Sequence, residues 1–131
     1  AADPVARQSC RPDFITPVYP LVSLVAHVKA SPERVARMLG PDPAPDLVAQ
    51  YSPETRVTDA TPPAFIVQAH DDNLSSENSI AYYLALHEAG VSAELHIYAT
   101  GGHGFGIRKT ELPVATWPAR WLEWFQTVVK P

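Results

Sequence analysis

The clearest hydrophobic pattern begins after Pro62-Pro63. Ala64-Phe65-Ile66-Val67-Gln68-Ala69 is a short, nearly continuous apolar run, which predicts a strand covered on both faces. A polar stretch follows over 70–76. From Glu77 to Glu88, apolar residues recur at Ile80, Tyr83, Leu84 and Leu86 or His87, the spacing of a helix that turns those side chains to a core. Gly90 supplies its stop. Ala93 to Tyr98 alternates and predicts a second strand. Strand, helix and strand run from 64 to 98, the length of a right-handed βαβ unit with two parallel strands. A glycine-rich loop occupies 101–106. An amphipathic helix is expected over 117–129, with Pro118 in its first turn and Trp117, Trp121, Trp124, Phe125 and Val128 towards a core.

Upstream of Pro62 the pattern is weaker and punctuated by proline. Residues 14–19 predict a strand from their β-branched and aromatic content. Pro17 within it cannot donate to a ladder, so one hydrogen bond is blocked and the pairing is weakened. Residues 32–39 predict a helix, with Ser31 as N-cap, Pro32 at the first position and Gly40 as terminator. The proline-rich 41–45 is loop, and one short helix is expected between Asp46 and Tyr51 before Ser52-Pro53 breaks it. No internal repeat is visible. The class is α/β with a parallel sheet.

Composition narrows the possibilities. At 131 residues the chain has the size of one domain, and 46% hydrophobic with 18% charged residues is the balance of a folded protein. No apolar run approaches the ~20 residues of a membrane-spanning helix. Ten basic against fourteen acidic residues give a net charge of -4, and the basic residues are scattered, so no nucleic-acid partner is expected. Cys10 stands alone, which excludes an internal disulfide and a cysteine-rich zinc site and fits either redox compartment. The chain begins Ala1-Ala2-Asp3, without an initiator Met or a signal-like segment, so residues are expected to precede it.

Candidate chemistry sits in two loops, each directly after a predicted strand: 70–76, with His70, Asp71 and Asp72, and 101–106, with His103 among four glycines. In an open parallel sheet the C-terminal strand ends share one edge, where ligands bind. A carboxylate on one loop can therefore reach an imidazole on the next, and an aspartate that orients a histidine is half of a Ser-His-Asp relay. Other readings of the same residues are open. The aspartates can cap the helix that follows, and His103 can be a solvated turn residue. The glycine loop could cradle phosphate, although it lacks a P-loop lysine, and His70, Asp71, Asp72 and His103 could together hold a metal. His27, His87 and His96 are assigned no role.

Several segments, in order, resemble a known family: Arg11-Pro12-Asp13-Phe14, Tyr19-Pro20, Ser52-Pro53-Glu54-Thr55, Thr61-Pro62-Pro63-Ala64-Phe65, Asp71-Asp72, Glu77-Asn78-Ser79, Ala89-Gly90-Val91, Glu94-Leu95-His96-Ile97-Tyr98 and Gly102-His103-Gly104-Phe105-Gly106. Together they are similar to the second half of an α/β-hydrolase of the esterase/lipase branch that includes acetyl esterases and acetyl xylan esterase-like proteins. The resemblance implies a three-layer αβα fold and places residues 1–131 as one partial domain, its C-terminal half. It implies His103 as the triad base and Asp72 as the acid, because Asp72-Asn73-Leu74 is similar to the family's Asp-Pro-Leu/Val. Counting back from Glu77-Asn78-Ser79 points instead to Asp71.

In this superfamily the nucleophile precedes both, in a G-x-S-x-G elbow. None of the chain's serines (Ser9, Ser23, Ser31, Ser52, Ser75, Ser76, Ser79, Ser92) has flanking glycines, a His-Gly-Gly oxyanion segment is absent, and Cys10 is a poor substitute. The resemblance thus implies the acid and base half of a serine carboxylesterase for short-chain acyl or acetyl esters, including sugar-linked ones. It would need no cofactor or metal, be inactive alone, and associate with its missing N-terminal half or with itself. The alternatives are a non-catalytic interaction module and a metal- or phosphate-binding domain.

Overall fold

The computed structural model describes residues 3–25 and 31–128, so His27 lies outside the described residues. Strand β1 (Ala64–Ala69) and strand β2 (Ala93–Tyr98) pair in parallel, in register from Ala64 opposite Ala93 to Ala69 opposite Tyr98. The helix between them, α3, spans Glu77–Glu88, and the last helix, α4, spans Trp117–Val128. Every residue of β1 is buried, as its nearly continuous apolar run predicts. Successive side chains point to opposite faces. Phe65, Val67 and Ala69 pack with Phe105, Val114, Trp117 and Trp124, while Ala64 and Ile66 pack with Val22, Tyr82 and Leu86. One face thus carries α4 and the other α3, the expected αβα layering. Complete burial of a side chain such as Phe65 or Leu86 contributes about 1.5–3 kcal/mol.

The predicted strand over 14–19 is present only in part. It runs parallel to the free side of β1, but as two isolated bridges, Ile15 to Ala64 and Val18 to Val67. Ile15 N donates to Pro63 O, Phe65 N to Ile15 O, Val67 N to Pro17 O and Tyr19 N to Val67 O. The one rung missing from this ladder is the N–H that Pro17 lacks.

The face that α3 buries differs from expectation. Its inward residues are Asn78, Ser79, Tyr82 and Leu86, whereas Ile80 and Leu84 are 37% and 55% exposed. The reason is polar. Asn78 Oδ1 accepts from Val22 N (3.1 Å) and Ser23 N (2.9 Å), and Ser79 Oγ donates to Gln68 Oε1 (2.9 Å). Each such group left unmet inside would cost about 1–3 kcal/mol, so the helix rotates to satisfy them. In α4, Trp117 and Trp124 are buried and Trp121 and Phe125 half-buried, but Val128 is exposed on the last turn.

Helices α1 (Pro32–Leu39) and α2 (Pro45–Gln50) lie upstream. Ser31 Oγ accepts from Arg34 N (3.2 Å) and caps α1, and Gly40 ends it at φ 88°. The same cap and the backbone hold the Glu33 carboxyl below its ordinary range: the backbone hydrogen bond contributes most, then the one from Ser31.

Candidate active site

The parallel register brings the ends of β1 and β2 to one edge, ~4.8 Å apart by ordinary strand spacing. His70 N donates to Tyr98 O (2.7 Å), extending the pairing one step before the chain turns. Asp72 then folds back: its N donates to Ala69 O, and its Oδ1 accepts from Leu74 N (2.8 Å), a local aspartate turn. The turn leaves the Asp72 side chain with no solvent exposure.

The histidine loop leaves β2 and is fastened along its length. Gly101 lies so close to Ala69 and Val114 that an added Cβ would sit 3.1 Å from both. Gly102 and Gly104, at φ 63° and 73°, flank His103 in a backbone region open to glycine and strained for other residues. Phe105 is buried, Trp117 Nε1 donates to Gly106 O (2.7 Å), and the Arg108 guanidinium donates to the carbonyls of Gly104 and Phe105.

Between these anchors His103 Nδ1 stands 3.0 Å from Asp72 Oδ2 and 3.1 Å from Oδ1, with the imidazole 45% exposed. A carboxylate only accepts, so this contact assigns the proton of a neutral ring to Nδ1 and leaves Nε2 with a lone pair. No partner for Nε2 occurs among the described residues. Such a ring can take a proton from a hydroxyl group presented at the strand edge.

Asp71 and Asp72, which the sequence left competing, have separate partners. Asp72 meets His103, whereas the exposed Asp71 accepts from Gly102 N (2.8 Å) and ties the two loops together. His70 is exposed and makes no side-chain contact with either. Among the described residues no group of three or more His, Cys, Asp or Glu side chains is disposed to hold a metal ion. His96, assigned no role from the sequence, is partly buried: it stacks on Phe65 at 5.1 Å and meets Glu94 Oε1 at 2.6 Å.

Three residues at the site were given no role there by the sequence. Gln68 Nε2 donates to Asp72 Oδ2 (3.0 Å) and to Leu74 O (3.2 Å). Ser79 holds the other end of that amide. Tyr19 puts its ring against both His103 (centroids 4.8 Å apart) and Phe105 (4.9 Å), from a backbone with φ 42°. A signal existed for Gln68, the one strongly polar residue in an apolar strand, since a buried amide must find partners. For the ring contacts of Tyr19 no local signal existed, because its neighbours come from a loop more than eighty residues away.

Known proteins are similar to this chain in sequence and in fold. An acetylxylan esterase of Xylanibacter ruminicola is 39% identical over 102 residues, which cover 74% of this chain and 21% of that protein. Among solved structures, an acetyl ester-xyloside bifunctional hydrolase from Caldicellulosiruptor lactoaceticus superposes with a TM-score of 0.87 at 38% identity, covering 98% of this chain and 47% of that one. A carboxylesterase from Lactobacillus plantarum WCFS1 does so with a TM-score of 0.69 at 25% identity, covering 87% and 44%. The chain thus spans about a fifth of the first relative and less than half of the two solved structures. Its parallel sheet between helices is a partial α/β-hydrolase fold. Residues 13–131 match the prolyl oligopeptidase family across α1 to α4, both strands and both loops of the site, and it is to this family that the chain belongs.

Proposed function

We propose that this chain is the acid–base portion of a serine carboxylesterase, one partial domain whose nucleophile comes from an N-terminal portion or a separate chain. The observation that carries this reading is the Asp72–His103 contact at the strand edge, with Nε2 unpartnered among the described residues. Asp72 holds the ring in its Nδ1–H tautomer. His103 Nε2 takes the proton of the incoming serine hydroxyl as its oxygen bonds to the ester carbonyl carbon. It returns that proton to the departing alcohol as the carbon–oxygen ester bond breaks. Water repeats the cycle on the acyl-enzyme, releasing the acid and the serine. Relatives described as acting on acetylated xylan and on acetyl esters support an acetyl or short-chain acyl group on a sugar or small alcohol.

The test is complementation. The chain alone is expected to hydrolyse p-nitrophenyl acetate no faster than imidazole at equal concentration. Addition of a separately expressed N-terminal half carrying the G-x-S-x-G serine restores turnover, and His103→Ala abolishes the restored activity. Turnover by the chain alone well above that background, or restored turnover that survives His103→Ala, refutes the reading.

A further inference from the structure

We propose that Gln68 is a positioning residue for the Asp72–His103 pair, an inference that rests on the acid–base reading above. The side chain lies on the face of β1 that α3 covers, with no solvent exposure. It bridges three elements: Oε1 accepts from Ser79 Oγ on α3 (2.9 Å), and Nε2 donates to Asp72 Oδ2 (3.0 Å) and to Leu74 O (3.2 Å) on the loop. The amide orientation follows from chemistry. Both groups facing Nε2 are acceptors, and a flipped amide would set its oxygen against them, with the Gln68 and Asp72 side chains both closed to solvent.

The consequence is geometric. Leu74 N holds Asp72 Oδ1 and Gln68 Nε2 holds Oδ2, so two donors at two points fix the carboxylate plane. His103, on a half-exposed loop, approaches a carboxylate that cannot turn about its own bond. Without the amide, Oδ2 loses its buried donor, and the carboxylate can swing away from the imidazole. The ring then loses the acceptor that selects its Nδ1–H form. Ser79 acts one step further back, by keeping the amide from rotating.

Nitrogen NMR of the imidazoles tests this without relying on turnover. The chain has five histidines, and the His103 signal is assigned by its loss in His103→Gln. At about pH 8.5, where an ordinary imidazole is neutral, the unmodified chain is expected to show His103 as the Nδ1–H tautomer. In Gln68→Met, similar in shape but without the amide, the ratio of Nδ1–H to Nε2–H should fall on the order of tenfold, the equivalent of one net hydrogen bond. Ser79→Ala should lower it about threefold.

In the complemented esterase the same variants lower kcat with KM within about twofold. Backbone amide spectra report whether each variant is folded. If folded Gln68→Met and Ser79→Ala keep the original tautomer ratio, Gln68 only packs and the proposal is overturned, while the acid–base reading stands. An Nε2–H ring in the unmodified chain overturns both. Should Gln68→Met fail to fold, Ser79→Ala decides alone: a lowered ratio supports the proposal and an unchanged one overturns it.

Discussion

Replacing Asp72 by Asn changes no volume and removes one capacity, that of accepting at both oxygens. In the structure those oxygens face only donors: Leu74 N at 2.8 Å, Gln68 Nε2 at 3.0 Å and His103 Nδ1 at 3.0 and 3.1 Å. An amide keeps one acceptor. If that oxygen stays with Leu74, its NH2 is turned against the NH2 of Gln68 and the N–H of the imidazole. One hydrogen bond to an ionised group, worth about 1.5–3 kcal/mol, is lost, and a buried donor is left poorly met. Because Gln68 keeps Leu74 O, the expected net loss is about 2–4 kcal/mol, against the roughly 5–15 kcal/mol of an ordinary domain. Equilibrium unfolding in urea should show this as a fall in midpoint of about 1–2 M.

Asp71→Asn is the matched control. Its carboxylate is exposed and the amide oxygen can still accept from Gly102 N, so a change of no more than about 0.5 kcal/mol is expected. In the complemented esterase Asp72→Asn should lower kcat by about 10³–10⁴, because the ring settles in the wrong tautomer. Equal midpoints for the two variants, or a larger loss at Asp71, would refute the argument that the buried carboxylate is held by convergent donors.

Four further outcomes follow from particular contacts. Gly101→Ala places a methyl 3.1 Å from Ala69 and Val114, so the histidine loop must shift by a few tenths of an ångström; kcat in the complemented enzyme should fall several-fold with little change in melting temperature. Asn78→Ala strands the N–H groups of Val22 and Ser23 and should destabilise by about 2–5 kcal/mol in chemical unfolding, among the largest single-site losses outside the apolar core. Glu33 is bound more tightly as a carboxylate in the folded state, so its contribution to α1 is present above the ordinary value of 4.5 and is lost as the pH falls through its lowered folded value. The Arg34 amide shift should follow that titration, and Glu33→Gln should abolish it. Finally, Met38, Leu84 and Ile107 are all more than half exposed, and no strand follows on the outer side of 14–19 among the described residues. The isolated chain is therefore expected to self-associate in sizing chromatography at rising concentration, and a monodisperse, dye-negative monomer would contradict this.

Local chemistry determined much of this protein from its sequence. The nearly continuous apolar run 64–69 predicted a strand covered on both sides, and it is one. Ser31-Pro32 and Gly40 bound α1 because capping and proline geometry act within one turn of the chain. The two loops that carry Asp72 and His103 were visible because glycine and aspartate clusters directly follow strand patterns, and parallel strands bring such loops to one edge.

What remained belongs to contacts between residues far apart in sequence. The two aspartates are neighbours with the same chemistry, and only the turn closed by Leu74 N sends one to the imidazole and leaves the other for the backbone of Gly102. The chain pattern favoured Ile80 and Leu84 as the inner face of α3; the buried Gln68 amide on β1 and the N–H groups of Val22 and Ser23 rotated the helix towards Asn78 and Ser79. Periodicity counts apolar residues, but a layered core must also satisfy the polar groups it encloses. Which partners do so is settled only when the layers meet.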